Sequence, residues 1–527
     1  MKHQEPTPIS PREVFALVLR ILGPESSFYS LAIVYGIGIS LLSLATPISV
    51  QMLINTVANT GLTISLVVLT GTLFVLLLLA GLLNALRIHI MDLFQRRFYA
   101  RMVSEIAIKS IYALNPFFED QRLSSLFNRY FDTIIVQKNL PNLLIGGFTI
   151  LLQTGVGLVL VSLYHPLFLL FNMVLVALIW LIWAVWGGRA IRSAVQVSHT
   201  KHAAAAWLEN LAESNGFFKS DRHIETALEQ TDAVTHDYIR DHQKHFRHHF
   251  AQTLSFLLLY ALASASLLGL GGWLVIQGQL SLGQLVAAEL VLSVAFFGIS
   301  QLGTYLAYFY ELCAAVEELS LFDRIEQEDE SGEAVQLENS SLLVSGAATR
   351  ELEKSAFKFA LPAGARVLGI AESHSVQRSL MNLLRRYERP SHGYVTIGGV
   401  DILSILPHTL RQQIIYLARP TLVEMTIREY LDSSGAKDNL KRDLEVLAAV
   451  GLNDTITRLP DGLDTHLSVT GWPLSITETM QLRLAAAIIA EPRALILNQL
   501  FDVMPEDVIR NSLDLLQKNC DTLVIYF

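Results

Sequence analysis

Three histidines, His242, His245 and His249, stand at i, i+3 and i+7 within HDYIRDHQKHFRHHF (236–250), a spacing that puts them on one face of a helix. Three imidazoles so arranged have the chemistry to ligate Zn²⁺ or to sense pH near neutrality. The same pattern serves as a solvated or interhelical polar face, and no resident metal is expected from it. A second candidate is Glu289, which lies a few residues inside an apolar run. An acid at membrane depth is costly and faces a cavity or a partner, so it has the chemistry to carry a proton or hold a cationic substrate. Its place near the end of the run also lets it snorkel to the interface. Gln153, Asn172 and Gln301 lie in other apolar runs, where hydrogen bonds between helices are the usual role. The two cysteines, Cys313 and Cys520, are far apart and support neither a disulfide framework nor a metal cluster.

The elements that must position these groups follow from hydropathy. Of 527 residues, 52% are hydrophobic and only 17% charged, less charge than a soluble chain of this length carries. The net charge of -9 does not by itself point to a partner. Six stretches are long and apolar enough to cross a bilayer, near 28–54, 63–86, 142–163, 166–187, 253–276 and 284–308. Beyond them the composition is that of a water-soluble domain. The long segments 87–138 and 189–251 each carry eight Lys and Arg, whereas the short connections near 55–62, 164–165 and 277–283 carry none. The positive-inside rule therefore predicts that both long segments and both termini are cytoplasmic. The polar start, MKHQEPTPISPREVF, lacks the apolar core of a signal peptide. Apolar residues recur at helical spacing through Phe94, Phe98, Met102, Ile106 and Ile108, and through Trp207, Leu208 and Leu211. The spacing predicts that the membrane helices continue into the cytoplasm as arms.

With these elements in place a family resemblance emerges. ALNPFFEDQRLSSLFNRYFDT (113–133) resembles the first coupling arm of type I ABC exporters, AAAAWLENLAESNGFFK (203–219) the second, and SLGQLVAAELVL (281–292) the start of the sixth helix. RRYERPSHGYVTIGGVDILSILPHTLRQQIIYLA (385–418) resembles the middle of an ABC nucleotide-binding domain. The nearest branch is that of bacteriocin and RTX-toxin exporters. The resemblance implies an all-α six-helix transmembrane exporter domain followed by an α/β P-loop-NTPase-like cytoplasmic domain. The expected division is an N-terminal segment with an elbow helix (1–27), a membrane domain (28–320), a solvated acidic linker (321–334, from FDRIEQEDESGE) and a nucleotide-binding domain (335–527).

The same register locates each position that would handle ATP. A Walker A loop, G-x-x-G-x-G-K-[ST], wraps phosphates with backbone N–H groups, reaches them with Lys and holds Mg²⁺ with its hydroxyl. Here Ala371, His374 and Val376 replace the three glycines, Gln377 the Lys and Arg378 the hydroxyl residue, while Glu372 adds negative charge. The adenine-stacking aromatic falls on Val344 and the Q-loop glutamine on Arg419. The signature LSGGQ reads Leu474-Ser475-Ile476-Thr477-Glu478. In ALILNQLFD, the Walker B Asp falls on Asn498 and the catalytic Glu on Gln499. Neither offers the carboxylate that would hold Mg²⁺ or take a proton from water. The strand that precedes the switch histidine corresponds to DTLVIYF (521–527), and that histidine is not expected in this chain.

The resemblance thus implies an export subunit that does not hydrolyse ATP by itself. Such a subunit works in a homodimer or in a heterodimer with another ABC subunit, with ATP and Mg²⁺ bound only through a partner. Because ABC sites are composite, the glycine-free signature compromises a partner's site as well. The implied setting is the bilayer of a bacterial inner membrane, with a periplasmic adaptor and an outer-membrane channel as further partners and no nucleic acid. Two alternatives stand beside it: a membrane scaffold or regulator with an exporter fold, and a transporter driven by something other than ATP, with Glu289 as its first suspect.

Overall fold

The computed structural model describes residues 11–43, 45–59, 63–114, 124–349, 356–435 and 440–527. The chain divides into two units, Met1–Glu326 and Gln327–Phe527.

The first unit is helical. α1 (Pro11–Leu22) is amphipathic, burying Val14, Val18 and Ile21 while Phe15 and Leu19 stay exposed. The membrane helices follow as α2 (Ser26–Ser43) with α3 (Ala45–Asn59), α4 (Thr63–Ile111), α5 (Asp132–Asn142) with α6 (Phe148–Ser162), α7 (Pro166–Glu213), α8 (Asp221–Ile276) and α9 (Leu282–Ser320). Six candidate spans lie along them, so this is a multi-pass membrane protein. With about 1.5 Å of rise per residue, α4, α7 and α8 are roughly 70–85 Å long, more than twice the ~30 Å of hydrocarbon. Their polar ends therefore run on beyond the bilayer as arms.

Local sequence sets the turns between spans. His165 caps α7 by accepting from Leu167 N at 3.1 Å, with Pro166 in the first turn. Ser281 and Gln284 form a reciprocal capping box at the start of α9. The helical spacing on α4 holds for Phe94, Phe98, Met102 and Ile106, all buried. Ile108 is exposed, because only two residues past Ile106 it turns off the packed stripe. On α7, Trp207 donates to Thr231 Oγ1 of α8 at 2.9 Å, whereas Leu208 is exposed. Of the first arm motif (113–133), residues 115–123 lie outside the described residues, as do residues 1–10 of the N-terminal segment.

The second unit is α/β. One antiparallel sheet has the order β2-β1-β4-β5, formed by β1 (Leu342–Ala348), β2 (Phe357–Leu361), β4 (His392–Ile397) and β5 (Val400–Asp401). A parallel sheet has the order β3-β8-β7-β6, formed by β3 (Arg366–Leu368), β6 (Ile414–Leu417), β7 (Ala494–Leu497) and β8 (Leu523–Tyr526). β7 reads ALIL and is buried at every position, as expected for a central parallel strand. Around the sheets pack α10 (His374–Leu384), α11 (Pro407–Gln413), α12 (Ile427–Asp432), α13 (Leu440–Ala449), α14 (Asn453–Arg458), α15 (Ile476–Ile489) and α16 (Glu506–Asn519).

Most of the acidic segment is exposed, with two points of attachment. Glu328 is largely buried and accepts from Arg411 Nη1 at 2.7 Å. Glu333 exchanges backbone hydrogen bonds with Ser404 and Leu406. Composition does not reveal Arg411, 83 positions after Glu328, as that acid's partner.

Candidate nucleotide site

In a parallel sheet the carboxyl ends of the strands form the ligand edge. β3, β6 and β7 bring to that edge the loop 369–373, Ala418–Arg419 and Asn498–Gln499.

At the phosphate-loop position the chain makes a helix cap. Ser373 has extended backbone (φ −154°, ψ 159°), and its hydroxyl accepts from Val376 N at 3.4 Å. α10 therefore begins at His374, three residues before the lysine position. Among the described non-glycine residues, positive φ occurs at Arg386 and Glu491. None of Ile370–Arg378 adopts the left-handed conformation that alternates with right-handed residues in a phosphate nest. Glu372, His374 and Arg378 are exposed, and Ala371 and Val376 half-buried. Gln377 is 2% exposed, and its Nε2 has no hydrogen-bond partner among the described residues. Buried in this way, it is not presented as a phosphate ligand.

The Walker B position is bound up in the fold. Asn498 donates from Nδ2 to the Ala418 carbonyl at 2.9 Å and accepts at Oδ1 from Leu500 N at 3.0 Å. An ionised aspartate has no donor for that carbonyl, so this pairing requires the amide. Gln499 is exposed in the first turn after it. Arg419 is half-buried, and Val344 is fully buried in β1 opposite Phe359 and Val395.

The signature position also forms a cap. Ser475 and Glu478 form a capping box at the N-terminus of α15: Glu478 Oε2 accepts from Ser475 N at 2.8 Å, and Ser475 Oγ from Glu478 N at 3.3 Å. Thr455 donates to Glu478 Oε1 at 2.7 Å. Partial burial pushes the Glu478 carboxyl up, but these hydrogen bonds outweigh it and hold its pKa below the ordinary value. Ile476 is exposed and Thr477 half-buried. The helix terminus that would meet a γ-phosphate therefore carries its own carboxylate. The Ser-x-x-Glu spacing is a cap signal that alignment to LSGGQ obscures.

The histidines do not converge on one point. His242 is exposed beside Tyr238, while His245 and His249 stack on each other, ring centroids 6.2 Å apart, and set their edges against Tyr310. His245 shares a 2.9 Å hydrogen bond with Ser193 Oγ. Glu289, the eighth residue of α9, is exposed. Asn172 joins helices by donating to the Leu158 carbonyl and Ser162 Oγ, both at 2.9 Å. Gln153 and Gln301 are half-buried.

Charge counting along the arms missed their buried ion pairs. Arg101 holds the buried Glu25 with two bonds of 2.7 and 2.8 Å. Asp132 is held by Lys201 at 2.7 Å and His202 at 2.6 Å.

Six membrane spans with long arms, followed by an α/β domain of this topology, define the ABC exporter fold. The family described as "ABC transporter transmembrane region" matches residues 29–213. The ABC multidrug transporter mdr2 of Aspergillus fumigatus is 25% identical, over 97% of this chain and 67% of its own length. The Beta-(1-->2)glucan export ATP-binding/permease protein NdvA of Agrobacterium fabrum is 26% identical, over 49% of this chain and 46% of its own length. The chain thus spans about two thirds of the fungal relative and less than half of the glucan exporter. A solved bacterial Atm1-family ABC exporter with ATP bound superposes with a TM-score of 0.77 at 18% identity, covering 96% of this chain and 91% of that one. The chain therefore carries an ABC transporter transmembrane region within an exporter fold, and its relatives are ABC exporters.

Proposed function

We propose that this protein is a transport subunit of an ABC-exporter-type system that does not hydrolyse ATP by itself. It works as a dimer, with a second copy or with an intact ABC subunit, in a bacterial inner membrane with both termini cytoplasmic. Nucleotide and Mg²⁺ enter such an assembly only through a partner. The exporter resemblance favours a peptide, protein or lipid cargo. The observation that carries the proposal is Asn498, whose amide is used to join the ends of β6 and β7 where an ATPase keeps a carboxylate for Mg²⁺.

The test is ATP turnover by the purified chain in lipid nanodiscs. No hydrolysis is expected, and Gln499→Glu alone should not create it. Robust turnover by the lone wild-type chain overturns the proposal. Co-purification with a subunit bearing intact Walker motifs would identify the heterodimer. A second reading, export driven by something other than ATP, is favoured by the exposed Glu289 on α9. Glu289→Gln should then abolish export, and unchanged export at every pH tested would eliminate that reading.

A further inference from the structure

The first unit holds a set of buried acids that the exporter reading does not use. Near the end of α9, Glu317 and Glu318 are consecutive and their side chains are 1% and 0% exposed. On α7, His199 faces both, with Nε2 3.3 Å from Glu317 Oε2 and Nδ1 3.5 Å from Glu318 Oε1. Arg129 Nε donates to Glu318 Oε2 at 2.5 Å. Even so, both Glu317 oxygens and Glu318 Oε1 accept no hydrogen bond from the described residues. Two ionised carboxylates buried side by side repel each other and lose their hydration. Each unpaired oxygen adds a desolvation penalty. His199 lies within reach of charge attraction, but it leaves the second Glu317 oxygen with nothing.

We propose that His199, Glu317 and Glu318 form a divalent transition-metal site, for Zn²⁺ in the first instance. One ligand atom from each lies within 4.8 Å of the other two. Zn–N and Zn–O bonds of about 2.0–2.1 Å set tetrahedral ligand edges near 3.3 Å, so contraction of about 1.5 Å at most closes the set. Two carboxylates, one of them shared with Arg129, offset the charge of a divalent cation, and the ion supplies the partner that Glu317 Oε1 lacks and a closer one for the two oxygens that face His199. Arg129 then acts as the outer-shell donor that orients Glu318. These ligands are brought together by α7 beyond its membrane span and by the last turns of α9. Metal binding therefore ties the cytoplasmic extension of the fourth span to the end of the sixth. This site is separate from the His242–His245–His249 face.

The test uses the full chain, purified in detergent with a histidine-free tag and stripped with chelator. Zn²⁺ titration should give one ion per chain, and Co²⁺ should produce visible d–d bands of a site with one imidazole and carboxylate oxygens. His199→Ala and Glu317→Gln should each weaken Zn²⁺ binding by more than about 100-fold. Arg129→Gln should cost about 10–100-fold, as outer-shell partners do. His242→Ala should leave binding unchanged. Absence of stoichiometric Zn²⁺ in the wild type, a buried imidazolium being the resident partner instead, overturns the proposal. So does binding that survives Glu317→Gln or is lost in His242→Ala. If the α7 and α9 variants fail to fold, X-ray absorption of the wild-type Co²⁺ form decides, since a first shell without one imidazole and carboxylate oxygens is incompatible with this site.

Discussion

Two regions handle buried polarity in opposite ways. At the positions aligned to the ATP motifs, the residues mostly complete local structure. Ser373 caps α10, Asn498 bridges two strand ends, and Glu478 closes a capping box. Gln377 is the exception, buried with an unbonded amide nitrogen. In the arms of the membrane unit, charges go deep into the packing. Some are fully paired, as Glu25 is by Arg101, while Glu317 has only His199 beside one oxygen and no partner among the described residues for the other. Motif decay alone would predict neglected polar groups at the positions aligned to the ATP motifs. Most of the positions aligned to those motifs carry polar groups that complete local structure, whereas in the arms Glu317 Oε1 has no hydrogen-bond partner among the described residues.

Glu25 is the most completely paired buried acid described in the arms. Its carboxylate is 1% exposed and takes both forks of Arg101, which also donates to Glu105 and to the Ile21 carbonyl. Glu25→Ala leaves a mostly buried guanidinium short of its main partner and should cost about 3–5 kcal/mol, read from denaturant unfolding in mixed micelles. A loss below about 1 kcal/mol would mean that the arms tolerate unpaired charge generally, and the bare oxygen of Glu317 would then lose its significance.

Asn498→Asp comes next, because it supplies a carboxylate at the position aligned to the Walker B Asp and so sets chemistry against packing. The carboxylate would face the Ala418 carbonyl without a donor, at a site 8% exposed. A loss of about 1–3 kcal/mol is expected, with ATP turnover still absent. A variant that is as stable as wild type and hydrolyses ATP would show that the edge is a resting catalytic site, not a reused one.

The spans were legible because a run of about 20 apolar residues matches the thickness of the hydrocarbon that a helix must cross. The new work of the replacement residues was not legible. Asn498 meets Ala418 across 80 positions, and His199 meets Glu317 across more than 100. Lys201 and His202 stood out in the sequence only as part of the composition of an arm, yet both hold Asp132. One clue was present and local: Ser475-x-x-Glu478 is a capping-box spacing whatever family the segment resembles.

That box gives a smaller and sharper test. Glu478→Ala removes the acceptor for Ser475 N and Thr455 Oγ1 and should cost about 0.5–2 kcal/mol. Glu478→Gln keeps an acceptor for the same backbone N–H and should recover most of that loss in the same unfolding measurement. Equal losses in the two variants would assign the stability to the charge at the helix terminus and not to the cap.

The smallest effect at neutral pH is expected at His245, where the arms bury a titratable ring beside another. Burial pushes its pKa from 6.5 to about 4, with the neighbouring charges of His249, His242 and His248 pushing the same way and a hydrogen bond to the Ala190 carbonyl opposing them. Between pH 6.5 and about 4 the unfolded chain therefore binds the proton that the folded chain refuses. Stability rises with pH across that window and falls as the solution is acidified through it. His245→Gln keeps a polar partner for Ser193 Oγ and removes the titration. Its unfolding free energy should match wild type closely at pH 7.5 and depend less steeply on pH between 6.5 and 4. An unchanged slope would show that the ring stays hydrated enough to protonate in place. The arms would then be wet where their packing reads as dry, and the unpaired oxygen of Glu317 would have water as a ready partner.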